Sequence, residues 1–98
     1  MSLEFIKRKE YMATKEIDSK LFKGISVLVA SKIYKEIDAS GTKLILYKDG
    51  KAVDASTVLD ILALDADENS KIKIIVYGDN KDKVIENVSE ILTNGAGI

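Results

Sequence analysis

Two hydroxyl residues stand where a small chain could do chemistry. Ser26 follows the glycine of "FKGIS" and precedes an apolar run, and Thr57 follows "DAS" with Asp60 three residues further on. A hydroxyl in such a place can accept a phosphoryl group. It can also accept a backbone N–H from the first turn of a helix, which stabilises that helix by about 1 kcal/mol. Capping is the plainer reading for both. Ser is among the best N-caps, and Thr57 with Asp60 has the spacing of a capping box, with Asp in place of the preferred Glu. The carboxylates Asp65, Asp67 and Glu68 share a polar stretch. They lack the closing Glu of a calcium loop and read as a solvated loop. Histidine and cysteine are both absent, which removes the commonest general base and metal ligand together with thiolate chemistry, disulfides and cysteine-bound zinc. No catalytic pair, metal site or cofactor is expected, and the chain reads as a non-enzyme.

The elements that must position these hydroxyls are legible in the apolar spacing. From Met12 to Leu21 the chain alternates weakly at Ala13, Ile17 and Leu21, which predicts an edge strand. Val27, Ala30, Ile33, Tyr34 and Ile37 then define one stripe of an amphipathic helix that Ser26 begins and Gly41 closes. "KLILYK" predicts a strand with Leu44 and Leu46 on one side and Ile45 and Tyr47 on the other. Asp49-Gly50 is a hairpin signal leading to a short return strand at 51–53. A short helix after Thr57 carries Val58, Ile61 and Leu62, and "KIKIIVYG" predicts a strand with Ile72, Ile74 and Val76 on one face. The last helix carries Val84, Val88 and Ile91, with Asp79 or Asn80 as its cap and Gly95 as its stop. The order is therefore β-α-β-β-α-β-α, an α+β chain whose helices cover one face of a mostly antiparallel sheet.

The 98 residues fit one domain, placed at residues 12–98 after a charged N-terminal extension at 1–11. Fifteen basic and 16 acidic residues leave a net charge of −1, which argues against nucleic acid or a membrane surface as a partner. The apolar stretches fall far short of the roughly 20 residues of a membrane helix. No signal-peptide pattern opens the chain, and a cytoplasmic location is expected.

From Met12 to Gly97 the sequence resembles, without a gap, the HPr family of histidine-phosphorylatable carriers in the bacterial sugar phosphotransferase system. The best-matching block is "DGKAVDASTVLDILALDADENSKIKIIVYGDNKDKVIENVSEIL". The family's Gly-Lys hairpin, its Val-Asn turn, its turn serine and its short apolar helix fall on Gly50-Lys51, Val53-Asp54, Thr57 and Val58–Leu64. The isoleucine-rich strand, the glycine after it and the final helix fall on Ile72–Val76, Gly78 and 80–93. The resemblance implies an open-faced β-sandwich, with three helices on one face of a four-stranded antiparallel sheet. The departures matter more. Where the family reads Gly-Leu-His-Ala-Arg-Pro-Ala, this chain has Gly24, Ile25, Ser26, Val27, Leu28, Val29 and Ala30. Ser26 thus stands at the position of the phospho-accepting histidine and Leu28 at that of the active-site arginine. A member lacking that histidine is implied, and a serine ester would hold phosphate where a phosphohistidine passes it on.

Thr57 falls on the family's regulatory serine, the target of an HPr kinase in some bacteria, so it is the candidate phosphosite. Ile25, Leu28, Val58, Leu59 and Leu62 fall where the family presents apolar residues to partner proteins. Ile45, Tyr47, Ile75 and Tyr77 point away from the helix-covered face, with Lys43, Lys71 and Lys73 expected to rim them, and they offer an interface for a homodimer or another partner. Together these positions read as a non-catalytic regulatory module that binds proteins. The candidate partners are phosphotransferase-system components, an HPr kinase or a transcription regulator, in the setting of sugar uptake or carbon-source control. Two alternatives stand beside it. One is a phosphocarrier that uses Ser26 or Thr57 as acceptor. The other is a single-stranded RNA binder with Tyr47 and Tyr77 as stacking platforms, which lacks the usual Gly-aromatic signature.

Overall fold

A computed structural model describes residues 12–67 and 70–95; the expected N-terminal extension and Glu68 lie outside the described residues. The elements run β1 (Met12–Ile17), α1 (Val27–Ser40), β2 (Lys43–Lys48), β3 (Lys51–Asp54), α2 (Val58–Leu62), β4 (Ile72–Tyr77) and α3 (Lys81–Asn94). The four strands form one sheet in the order β1-β4-β2-β3, and every pair is antiparallel. The order β-α-β-β-α-β-α and the antiparallel sheet are those the residue spacing predicts, and the four-stranded open-faced sandwich is the one the resemblance implies.

Local chemistry explains the turns. Asp49 and Gly50 both have positive φ, 48° and 83°, as a two-residue type I′ hairpin requires, and they set Lys48 opposite Lys51. Helix α1 ends at Gly41, whose left-handed φ of 67° lets its N–H donate to the Ile37 carbonyl at 2.9 Å.

One side of the sheet faces the helices. Leu44, Leu46, Ile72, Ile74 and Val76 are buried there, and the lysines on that side reach helix ends or helix surfaces. Lys15 pairs with Glu86 of α3 at 3.3 Å. Lys48 donates to the Asp65 carbonyl and Lys51 to the Ala63 carbonyl, both just past α2.

The phase of three expected segments differs from the spacing. Leu21 does not continue the alternation of β1. The Asp18 carboxylate accepts the Lys20 N–H at 2.9 Å and its carbonyl accepts the Leu21 N–H at 2.9 Å; this turn leaves Leu21 55 % exposed and sends Phe22 into the core. In α1 the buried stripe is Val29, Ala30, Ile33 and Ile37. With roughly 100° between successive residues, a stripe centred there turns Val27 outward, and Val27 is 65 % exposed. In α3 the buried set is wider than expected, with Ile85, Ser89 and Leu92 joining Val84 and Val88 while Ile91 is half-buried, because this helix packs on β1, β4 and α1 together. Asn80 stands at the N-cap of α3 without a side-chain capping bond.

Candidate functional site

The segment before α1 is held at two points by its own backbone. The Lys23 N–H donates to the Leu92 carbonyl near the end of α3, at 3.2 Å, and the Ile25 N–H donates to the Ala66 carbonyl after α2, also at 3.2 Å. Between them Gly24 turns with φ of 84°, a conformation that side chains disfavour. The first bond satisfies a carbonyl that the end of α3 would otherwise leave open, and together the two deliver Ser26 to the start of α1.

Ser26 sits in extended backbone, and its Oγ accepts the Val29 N–H at 3.2 Å. The hydroxyl is an N-cap, on an exposed residue. Thr57 repeats the device at α2, its Oγ1 accepting the Asp60 N–H at 3.1 Å. Asp54, the last residue of β3, accepts a hydrogen bond from the Ser56 hydroxyl at 3.0 Å and pairs with Lys43 at 3.4 Å. Its charge is thus paired with the neighbouring strand β2.

Helices α1 and α2 pack on one another. Of the apolar residues that the resemblance assigns to a partner surface, Leu28 is 46 % and Leu59 77 % exposed. Ile25, Val58 and Leu62 are half-buried and pack against the core. Val27 adds to the exposed set, although its spacing counts it as core. Spacing does not separate the two, since Val27 and Val29 each complete a helical stripe with Ala30 and Ile33.

On the opposite side of the sheet, register sets the arrangement of the second candidate surface. Ile45 lies opposite Ile75, Tyr47 opposite Lys73, and Lys43 opposite Tyr77. The four apolar residues therefore make a diagonal band, and Lys43 and Lys73 sit within it, each facing a tyrosine; Lys71 lies outside the strands. Asp67 accepts a hydrogen bond from the Ser70 hydroxyl at 3.1 Å, and among the described residues no group of three or more acidic side chains could hold a metal ion. Among the described residues no helix is long and apolar enough to cross a membrane.

Comparison with known proteins places this architecture. The family described as "PTS HPr component phosphorylation site" matches residues 13–94. The phosphocarrier protein HPr of Chlamydia trachomatis serovar D is 31 % identical over 74 residues, covering 76 % of this chain and 68 % of that protein. The crystal structure of HPr from Bacillus anthracis superposes with a TM-score of 0.72 at 23 % identity, covering 83 % of this chain and 96 % of the other. The Bacillus subtilis catabolite-repression protein Crh, described as a domain-swapped dimer, gives a TM-score of 0.64 at 20 % identity, covering 72 % and 82 %.

Proposed function

The chain belongs to the HPr family, and from that premise we propose that it is a histidine-free member that binds regulatory partners instead of shuttling phosphate. The observation that carries this reading is that a hydroxyl, and no imidazole, stands at the position expected for the phospho-accepting histidine: Ser26 caps α1 through the Val29 N–H, and a phosphate ester on it would hold the group where a phosphohistidine passes it on. Leu28 stands where the resemblance expects the arginine that would grip a phosphate, and an aliphatic side chain supplies neither charge nor a bidentate fork. What the region offers instead is apolar. Val27, Leu28 and Leu59 expose surface on two neighbouring helices, and exposed apolar surface of this kind suits a protein partner. The partner classes are phosphotransferase-system components, an HPr kinase or a transcription regulator, and the naming of Crh after catabolite repression favours carbon-source control as the setting. Thr57, exposed at the start of α2, is the candidate regulatory phosphosite.

Incubation with phosphoenolpyruvate and the first enzyme of the phosphotransferase system tests the reading directly. No label should reach Ser26, and rapid, reversible labelling of Ser26 would restore the carrier function. Capture of partners from the source cell should weaken for Leu28→Arg and for Leu59→Glu, with the helical content unchanged by circular dichroism. Capture indifferent to both would remove the apolar surface from the account.

A further inference from the structure

The open face of the sheet repeats itself. β2 reads Lys43-Leu-Ile45-Leu-Tyr47 and β4 reads Lys73-Ile-Ile75-Val-Tyr77, so both strands present Lys, Ile and Tyr at alternate positions on the uncovered side. The strands are antiparallel, and their register is centred on the pair Ile45–Ile75, with Lys43 opposite Tyr77 and Tyr47 opposite Lys73. The six side chains are therefore related by a local two-fold axis that passes through the isoleucine pair, normal to the sheet.

That symmetry makes the patch complementary to itself. Consider a second copy laid face to face, related by a two-fold axis lying between the sheets and running along the strands. Ile45 falls on Ile75 of the partner subunit, and Lys43 falls on Tyr77 of the partner subunit. Tyr47 falls on Lys73 of the partner subunit, so every lysine meets a ring and no lysine meets a lysine. Ammonium over tyrosine is a favourable contact, and an isologous interface demands just such a self-matching patch.

A two-fold axis across the strands would also bring lysines over tyrosines, and the flanking rows decide between the two. Thr14, Ile75, Ile45 and Asp54 form one row across the sheet. The axis across the strands sets Asp54 on its own copy, bringing two carboxylates together with no cation beyond the Lys43 that each already holds at 3.4 Å. The axis along the strands sets Asp54 against Thr14 of the partner subunit, a hydroxyl facing a carboxylate. We propose that this open face is the interface of a homodimer whose two-fold axis runs along β2 and β4. Aligned packing of two twisted sheets is a common geometry, and the match is closest at the central isoleucines. Ile75 is already only 9 % exposed, so the contact area comes chiefly from Ile45, the two rings and the lysine stems.

Sedimentation equilibrium of the full chain, from micromolar to millimolar concentration at low salt, tests the proposal. The wild type should move from the 10.8 kDa chain mass toward twice that value. Tyr47→Ser combined with Tyr77→Ser should weaken the dimer about tenfold or more, which corresponds to about 1.4 kcal/mol. Thr14→Lys, on an exposed position of an edge strand, should tighten it, because the new ammonium faces Asp54 of the partner subunit. A monomer at every concentration overturns the dimer, as does a dimer indifferent to loss of both rings, the result expected if chains exchange strands instead. Weakening by Thr14→Lys overturns the assigned axis, since only the axis across the strands sets that position on itself.

Discussion

The two faces of one sheet use the same strands for opposite ends. On β2, Leu44 and Leu46 are 1 % and 0 % exposed beneath the helices, while Lys43, Ile45 and Tyr47 alternate with them on the uncovered side. The covered face is irregular in composition: its lysines lie at the periphery and each reaches a helix or a helix end. The uncovered face is regular, with one Lys-Ile-Tyr series on each central strand. The contrast separates two kinds of demand. A face that packs on helices needs volume and shape, which many apolar residues satisfy. A face whose order repeats with a defined register has a pattern that packing on its own helices does not require.

Substitutions on the two sides of a single strand should separate these demands most sharply. Leu46→Ala is expected to lower the unfolding free energy by about 2–5 kcal/mol, since it opens a cavity in a filled core. Its neighbour Ile45→Ser should cost about 1 kcal/mol or less in the monomer, on the scale of a cross-strand pair. Denaturant titration at low protein concentration measures both, and equal losses would mean that the open face is as much a part of the core as the covered one.

A smaller effect tests the capped helix starts against the uncapped one. Ser26→Ala should cost about 1 kcal/mol, because the Val29 N–H loses its acceptor. If Ser26 contributes nothing to stability, its role as a cap is wrong. The smallest effect is expected at Asn80→Ala. That side chain makes no capping bond to α3, and its removal should stay within about 0.5 kcal/mol. A loss as large as that of Ser26 would show that Asn80 caps α3 in solution.

These differences trace what could be read from residue order. The strands with strict alternation, β2 and β4, and the Asp49-Gly50 turn were legible because period and turn chemistry are local properties. Ser26 and Thr57 were legible as caps for the same reason: an N-cap is defined by the N–H groups within three residues of it. Val27 was not. Its spacing fits a helix stripe as well as that of Val29 does, and only the direction in which the sheet lies relative to α1 chooses between them. Leu21 failed similarly, because a turn built on the Asp18 side chain shifts the phase of the residues after it. At α3 two good capping residues, Asp79 and Asn80, predicted a side-chain bond that the entry geometry of the helix does not make.

The residues alone were enough to specify which elements form, in what order, and that histidine chemistry is absent from this chain. They carry this because hydrogen bonding within a turn, side-chain period and the chemical inventory all act over a few positions. Packing alone decided which apolar side chains remained outside, how the segment before α1 was pinned between Leu92 and Ala66, and how the two Lys-Ile-Tyr series were brought into register. Those outcomes depend on contacts between residues distant in the chain. Their free energies come from surface removed from water in three dimensions, a quantity without a linear signature.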